Sequence, residues 1–243
     1  MKKEKKRLDK IVSEQNPEFS RSYIQSIIMQ GKVFVDGKVC TKPGTMLSED
    51  VEILVQAKEP KFVSRAGLKL EKALDQFEID VKDLIILDAG ISTGGFTDCL
   101  LQRGAKRVYG IDVGYGQVHE KLRSDKRLIL MEKTNLRHLE KLPELVDLVT
   151  LDLSFISILK VMPAVSKLIK SDGKIITLIK PQFEAEKKDV GRGGIVKDES
   201  VHEKVIGKIK AGMAEFGFSM VEITESPIFG AKGNKEFLAL FVR

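Results

Sequence analysis

The segment from residue 84 to residue 112 constrains the fold of this chain more than any other feature. An apolar run at 84–87 ends in Asp88, and a glycine-rich turn and an apolar helical pattern follow it. A second apolar run at 108–111 then ends in Asp112, 24 positions after Asp88. This order of strand, glycine loop, helix, strand and acid is typical of the first unit of a doubly wound α/β fold that binds a nucleotide.

The spacing of the glycines favours one kind of nucleotide ligand. Gly90, Gly94 and Gly95 give Gly-x-x-x-Gly-Gly, whereas a dinucleotide needs Gly-x-Gly-x-x-Gly to seat its pyrophosphate on a helix N-terminus. S-adenosylmethionine has a ribose and no phosphate, so a looser loop suits it, and Asp112 can accept hydrogen bonds from its ribose hydroxyls. The loop alone favours a methyltransferase and leaves another nucleotide enzyme or a structural glycine turn open.

Composition limits the class of protein. With 243 residues, 42% apolar and 31% charged, the chain can hold one large domain or a large and a small one. It has no apolar stretch near the ~18 residues of a membrane helix and no secretory signal, so we expect a cytoplasmic protein. Two isolated cysteines and three scattered histidines predict neither a disulfide nor a metal site. The net charge of +6 favours a polyanionic partner.

The first part of the chain, residues 1–57, predicts a small α+β module that begins with two short helices. Ser20 is expected to cap the second helix and Gly31 to end it. Apolar residues recur at helical spacing in both: Leu8, Ile11 and Val12, then Tyr23, Ile24, Ile27 and Ile28. A strand at 33–35, a tight turn at Asp36-Gly37 and a closing strand at 51–55 complete the module.

A linker at 58–62, with Pro60 and charged residues, is predicted to join this module to a larger domain at 63–243. That domain begins with a helix at 67–77. Seven strands are then predicted, with helices between the early ones: 84–87, 108–111, 128–131, 148–151, 174–179, 219–224 and 237–242. The alternation predicts a parallel sheet covered on both faces, and the seven strands predict the Rossmann-like fold of the class I methyltransferases.

The first part resembles the α-L RNA-binding domain, which a small-subunit ribosomal protein, many pseudouridine synthases and tyrosyl-tRNA synthetases share. The resemblance rests on Ser20-Arg21, the apolar face after it, and Gly31 before the pattern Val-x-Val-Asp-Gly at 33–37. It implies that four residues contact RNA phosphates: Lys6, Arg7, Arg21 and Lys32. Such contacts give affinity and orientation without a choice of sequence. A small protein-interaction module is the alternative.

Five motifs in order, spread over the larger domain, resemble the TlyA family, whose members are described as rRNA 2′-O-methyltransferases and carry the old label haemolysin A. The motifs lie at 64–70, 88–98, 151–157, 179–183 and 233–237. The same domain resembles the FtsJ-like RNA ribose methyltransferases, which use a Lys-Asp-Lys-Glu tetrad. Carried over by motif, the implied catalytic residues are Lys69, Asp152, Lys180 and Glu236. We expect Lys180 to take or steer the ribose hydroxyl proton and the acids to orient the lysines.

The cofactor shell is predicted from the strand ends, since ligands of such sheets bind outside the carboxyl ends of the strands. The predicted S-adenosylmethionine-binding residues are Asp88, Gly90, Ser92, Thr93, Gly94, Gly95, Phe96, Asp112, Val113 and Asn135. The alternative for Ser92 and Thr93 is that they cap the helix that follows them, and both roles can hold at once.

A basic, glycine-rich run at 184–197 follows Lys180 and is interpreted as a mobile loop that closes over RNA or, equally well, as a flexible surface loop. The predicted RNA-binding residues of the larger domain are Arg65, Lys187, Lys188, Arg192, Lys232 and Lys235. The leading hypothesis is an S-adenosylmethionine-dependent methyltransferase acting on a ribose 2′-hydroxyl of ribosomal RNA. The alternatives are a membrane-active haemolysin and a non-catalytic RNA-binding or ribosome assembly factor.

Overall fold

The computed structural model describes residues 5–17, 19, 21–48, 50–57 and 60–243, apart from the side chains of Ser22 and Ala231. It divides into two compact units, Met1–Lys61 and Phe62–Arg243. The predicted cap at Ser20 and the linker residues Lys58 and Glu59 lie outside the described residues.

The first unit consists, in its described residues, of two helices and two small antiparallel sheets. Its elements are β1 (Lys5–Arg7), α1 (Leu8–Gln15), α2 (Arg21–Met29), β2 (Val33–Val35), β3 (Lys38–Val39), β4 (Met46–Ser48) and β5 (Ile53–Val55). Strand β2 pairs with β3 and β5, and β1 pairs with β4. The predicted tight turn is present, with φ of 48° at Asp36 and 73° at Gly37, which is the left-handed pair that a type I′ hairpin requires.

The closing strand of this unit is shorter than predicted. It begins at Ile53, not at Val51, because the backbone N–H of Val51 bonds to the carbonyl of Ser48 and closes a turn there. The two helices do bury their predicted apolar faces. The core consists of Leu8, Val12, Phe19, Ile24, Ile27, Ile28 and Val33.

The second unit is a seven-stranded sheet with helices. Its helices are α3 (Ala66–Gln76), α4 (Gly95–Gln102), α5 (Glu120–Arg123), α6 (Met162–Leu168), α7 (Pro181–Glu184) and α8 (Glu199–Ala214). Its strands are β6 (Ile85–Ala89), β7 (Arg107–Ile111), β8 (Leu128–Met131), β9 (Val146–Leu151), β10 (Ile169–Ile179), β11 (Ser219–Glu225) and β12 (Phe237–Val242).

The strand order in this sheet is β11-β12-β10-β9-β6-β7-β8. Strand β12 runs opposite to the other six strands, so the sheet is mostly parallel and not wholly parallel as predicted. Alternate residues of the strands point to opposite faces, because side chains alternate along a strand. Thus Leu87 and Val149 enter one buried cluster with α6 and α8, whereas Ile86 and Leu148 enter another with α3 and α4. The predicted fold class is confirmed.

The glycine loop between β6 and α4 differs from one prediction. The N-cap of α4 is Gly94, in the left-handed conformation with φ of 97°, and no side chain caps this helix. Ser92 and Thr93 are therefore not caps. A Cβ at Gly94 would lie 2.3 Å from Leu122 Cδ1, so both the backbone angle and the packing require glycine at this position.

Candidate active site

A cavity of about 610 Å³ opens at the carboxyl ends of β6, β7 and β9, a size that suits a small organic ligand. We call it the central cavity. Five of the predicted cofactor residues line it: Gly90, Ser92, Asp112, Val113 and Asn135. Other lining residues had no predicted role, among them Gln117, Arg137, Ser154, Phe155 and Lys160.

Gly90 brings the glycine loop close to the end of β9. Its φ is 84°, and a Cβ placed there would lie 2.5 Å from the carbonyl oxygen of Asp152. Asp152 in turn donates its backbone N–H to the carbonyl of Ala89 at 3.0 Å. Only glycine permits this approach. The motif therefore has glycine at the position where the backbone requires it.

Asp112 is held by backbone donors on both sides of its carboxylate. Oδ2 accepts a hydrogen bond from the N–H of Ser92 at 2.9 Å, and Oδ1 accepts one from the N–H of Gly114 at 2.7 Å. A carboxylate has about four acceptor sites, so it can still accept from ligand hydroxyls. Asn135 accepts the N–H of Arg137 on Oδ1 at 3.1 Å, and its side-chain amide can donate to a ligand.

Asp88 lies inside the domain rather than at the cavity. The strand continues past it to Ala89, and Asp88 is fully buried. Thr97 and Thr150 donate their hydroxyls to its carboxylate at 2.6 and 2.8 Å. Burial raises the pKa of Asp88 to about 6, although both hydroxyl bonds act in the opposite direction.

The remaining predicted cofactor residues do not line the central cavity either. Thr93 and Gly94 directly precede α4, and Gly95 and Phe96 are its first two residues. A Cβ at Gly95 would lie 2.2 Å from the hydroxyl oxygen of Ser64, so this glycine allows the segment before α3 to pack closely. The cofactor contacts of Asp88 and of these four residues stay predictions.

The first pair of the predicted tetrad stands at the edge of the central cavity. Lys180 Nζ lies 2.6 Å from Asp152 Oδ1, with 11% and 17% of the two side chains exposed. Lys180 Nζ also donates a hydrogen bond to Ser154 Oγ at 3.0 Å. Asp152 follows β9 and Lys180 follows β10, so neighbouring parallel strands present the two charges side by side.

The second pair is buried more deeply. Lys69 Nζ lies 2.6 Å from Glu236 Oε2, and both side chains are almost fully buried. The pairing of Ile179 with Phe237 places Lys180 and Glu236 directly beyond the end of the β10–β12 ladder. Gln182, two residues after Lys180, donates Nε2 to Glu236 Oε1 at 3.2 Å. The structure thus brings the four predicted residues together as two ion pairs linked through Gln182.

Three residues near these pairs were missed as site residues, although each lies in a motif already singled out. Ser154 and Gln182 contact the tetrad directly. Phe155 is 90% exposed and has a φ of 64°, and its ring packs on Phe183 with centroids 4.9 Å apart. A bulky residue with positive φ is a strained exception that sequence patterns do not reveal.

The RNA-binding residues predicted in the first unit are at its surface or engaged in ion pairs. Arg21 and Lys32 are exposed, and Lys6 Nζ lies 3.4 Å from Glu14. Arg7 donates Nε and Nη2 to the carboxylate of buried Asp9 at 2.9 and 2.7 Å. This guanidinium lowers the pKa of Asp9 to about 2. Their contacts with RNA stay predictions.

The RNA-binding residues predicted in the second unit also differ in their surroundings. Arg65, Lys187 and Arg192 are exposed. The other three make polar contacts: Lys188 with Glu186 at 2.8 Å, Lys232 with the carbonyl of Gly193 at 2.8 Å, and Lys235 with Glu225 at 2.7 Å.

The loop at 184–197 is fastened to the segment before Glu236. Asn234 accepts the N–H of Val196 on Oδ1 at 3.0 Å and donates Nδ2 to the carbonyl of Gly194 at 2.9 Å. Asn234 is almost fully buried, so both bonds are shielded from water. The mobility of this loop stays a prediction, and any movement would have to break these contacts.

None of the helices in the described part of the chain combines the length and the hydropathy that a transmembrane span requires. Within the same ranges, no group of three or more histidine, cysteine, aspartate or glutamate side chains is placed to hold a metal ion.

Two family descriptions match the chain. Residues 62–243 match the FtsJ-like methyltransferases, and residues 6–53 match the S4 domain. The match to the FtsJ-like methyltransferases covers the whole of the second unit, including the central cavity and the two ion pairs.

Individual relatives agree over nearly the full length. The chain is 46% identical over 240 residues to Hemolysin A of Brachyspira hyodysenteriae, covering 97% of this chain and 99% of the relative. It is 42% identical over 221 residues to the 16S/23S rRNA (cytidine-2′-O)-methyltransferase TlyA of Mycobacterium tuberculosis, covering 90% of this chain and 82% of the relative. The solved structure of a hemolysin-like protein from Streptococcus thermophilus is 40% identical in sequence with a TM-score of 0.78, and the match covers 99% of this chain and 89% of that protein. The chain therefore belongs to the TlyA family of FtsJ-like methyltransferases and carries an S4 domain ahead of its methyltransferase domain.

Proposed function

We propose that this protein transfers the methyl group of S-adenosylmethionine to a ribose 2′-hydroxyl of ribosomal RNA. The observation that carries the proposal is the Lys180–Asp152 pair at the edge of the central cavity. The choice of RNA is supported by the S4 domain, by the net charge of +6, and by the relative from Mycobacterium tuberculosis named for 2′-O-methylation of rRNA cytidine.

The residues of the central cavity fit S-adenosylmethionine. Asp112 offers a fixed carboxylate to ribose hydroxyls, and Gly90 leaves free the space that a side chain would fill beside Asp152. Ser92, Val113 and Asn135 would complete the shell, with the Asn135 amide available to the adenine edge. When bound, this cofactor supplies a methyl group on a positively charged sulfur, which is a strong electrophile.

Lys180 is proposed as the residue that takes or steers the proton of the 2′-hydroxyl. A ribose hydroxyl is a poor nucleophile until that proton is removed, and a positioned side chain can contribute roughly 10²–10⁴-fold to such a step. Asp152 holds the lysine nitrogen at 2.6 Å. The buried Lys69–Glu236 pair, through Gln182, fixes the start of α7 just after Lys180. Correct positioning then brings the oxygen to the methyl carbon in line.

RNA binding is proposed for both units. Lys6, Arg7, Arg21 and Lys32 of the S4 domain would contact phosphates and orient the RNA without reading its sequence. The proposed contacts of the methyltransferase domain are Arg65, Lys187, Lys188, Arg192, Lys232 and Lys235. Because a ribosomal RNA substrate is found with ribosomes, we also propose that the protein acts in the cytoplasm.

Membrane lysis is the second candidate, since one relative is named Hemolysin A. Incubation of the purified protein with dye-loaded liposomes tests it, and we expect no dye release. Release from liposomes without added factors would favour the membrane activity.

Methyl transfer is tested directly with S-adenosylmethionine labelled in its methyl group. The acceptors are purified small subunits, large subunits and naked ribosomal RNA from cells that lack the modification. We expect label in RNA that resists alkali as part of a dinucleotide, because a 2′-O-methyl group removes the hydroxyl that alkaline cleavage requires. Label on a base, or no label in any ribosomal RNA, would contradict the proposal.

A further inference from the structure

The hydroxyl of Ser154, a residue of the central cavity, contacts Lys180. Lys180 Nζ donates to Ser154 Oγ at 3.0 Å and pairs with Asp152 Oδ1 at 2.6 Å. Ser154 is exposed, and it lines the central cavity together with Asp152. Lys180 itself has only 11% of its side chain exposed. Two side chains that line the central cavity therefore contact the lysine nitrogen.

Two contacts fix the direction of a lysine nitrogen in a way that one contact does not. An ammonium group has three donors arranged tetrahedrally about the nitrogen. Asp152 attracts the nitrogen as its ion-pair partner, whereas the N–H bonded to Ser154 fixes the rotation about the Cε–Nζ bond and with it the directions of the other two N–H groups. With Asp152 alone, the group could rotate about the Cε–Nζ bond.

The turn that carries Ser154 is braced against the segment that carries Lys180. Phe155, the next residue, has a φ of 64°, which places it in the left-handed region. Its ring packs on that of Phe183 with centroids 4.9 Å apart. Phe183 lies in α7, directly after Lys180, and its ring centroid is 5.9 Å from Lys180 Nζ. The ring contact therefore supports the bond between Ser154 and Lys180.

The geometry points to Ser154 as a positioning residue for methyl transfer: with Asp152, its hydroxyl sets the direction in which Lys180 presents its nitrogen to the ribose 2′-hydroxyl. The inference rests on the proposed function and deepens it by naming what orients the reacting lysine. Ser154 acts through Lys180, so its loss lowers turnover by a larger factor than it changes the affinity for S-adenosylmethionine, whose proposed cavity it also lines.

The test compares Ser154→Thr with Ser154→Val, two residues of the same shape of which only threonine keeps the hydroxyl. We expect S154T to keep kcat within about threefold of the wild type and S154V to lose roughly 10- to 100-fold. The KM for S-adenosylmethionine changes by the same factor in both variants, because both add one methyl group to the lining of the central cavity, so a difference in kcat between them reports the hydroxyl. Ser219→Val, at an exposed position in β11, is the control for a surface serine-to-valine change and keeps wild-type kinetics.

Crystal structures of both variants supply a readout that does not depend on the substrate. We expect Lys180 Nζ to remain on Asp152 and the threonine hydroxyl in S154T, and to shift or adopt several positions in S154V. Equal kcat values in the two variants, with the nitrogen unmoved in S154V, would overturn the inference. If the wild type transfers no methyl group to any RNA, the proposed function fails, and the position of the nitrogen in the two crystal structures still decides the role of Ser154.

Discussion

Lys69 and Glu236 are 167 positions apart in the chain, yet their side chains meet at 2.6 Å inside the methyltransferase domain. Helix α3 supplies the lysine and the residue before β12 supplies the acid, so this contact joins the first helix of the domain to its last strand. A charge buried in this way is costly unless its partner is present. The pair therefore matters for stability as well as for the proposed chemistry.

Removal of one partner of the Lys69–Glu236 pair tests its role in stability. Glu236→Ala leaves Lys69 buried without its acid, and we expect the free energy of unfolding to fall by about 3–5 kcal/mol. The matched control is Glu225→Ala, which breaks the exposed pair with Lys235 and changes stability by less than about 1 kcal/mol. Urea denaturation measures both.

The double variant Lys69→Met/Glu236→Met extends this prediction. Replacing a buried ion pair with apolar residues of similar volume is often neutral for stability, so we expect most of the lost stability to return. Methyl transfer is not expected to return, because neither charge is present. A double variant with restored stability and wild-type transfer would show that the pair has no role in the reaction.

The close approach of Gly90 to Asp152 leads to a prediction about a substitution that fills the space between them. In Gly90→Ala the new methyl group would lie 2.5 Å from the carbonyl oxygen of Asp152, at a φ of 84°. Strain and overpacking together predict a loss of roughly 2–4 kcal/mol in unfolding free energy and weaker binding of S-adenosylmethionine. The control is Gly207→Ala in α8, where a methyl group meets nothing within 4 Å. There we expect a gain of up to about 1 kcal/mol. Equal effects at the two positions would contradict the role of Gly90.

Much of this fold follows from local sequence patterns. The strands at 128–131 and 237–242 have the predicted bounds, because apolar runs there end at polar or turn residues.

The pairing of Lys69 with Glu236 could be anticipated only through family motifs, since no local pattern connects residues so far apart. The Ser154–Lys180 bond and the burial of Asp88 depend on how neighbouring strands align, which periodicity does not reveal. Gly94 caps α4 because the packing of Leu122 leaves no room for a side chain, and that is also a tertiary effect.

Asp88 predicts a pH dependence of stability. Its pKa in the folded protein is about 6, against an ordinary value of 3.8, mainly because of burial. The folded state therefore keeps this proton to a higher pH than the unfolded state does. The resulting stability is fully present below about pH 3.8 and is lost as the pH rises through about 6.

The comparison with Asp88→Asn isolates this effect, because asparagine does not titrate. We expect the unfolding free energy of the wild type, relative to D88N, to fall as the pH rises from about 4 to about 6 and then to level off. Urea denaturation at a series of pH values measures the difference. A difference that stays constant over this range would contradict the raised pKa.

Arg21 and Lys32 predict how the S4 domain contributes to binding. Both are exposed, so their loss removes charge without disturbing the core. In Arg21→Ala/Lys32→Ala we expect weaker binding to ribosomal RNA and a salt dependence shallower by roughly 1.5 in log K against log salt, since each phosphate contact contributes about 0.7–0.9. Filter binding at several salt concentrations measures the slope. An unchanged slope would mean that these residues do not contact phosphates.

The most direct test of the account is methyl transfer to ribosomal subunits and naked ribosomal RNA by Lys180→Ala beside the wild type. Lys210→Ala, which removes an exposed lysine of α8, is the matched control. We expect alkali-resistant label with the wild type and K210A and none above background with K180A. K180A is expected still to bind S-adenosylmethionine, because Lys180 does not line the central cavity. Wild-type turnover by K180A would contradict the role assigned to this lysine and with it the proposed mechanism.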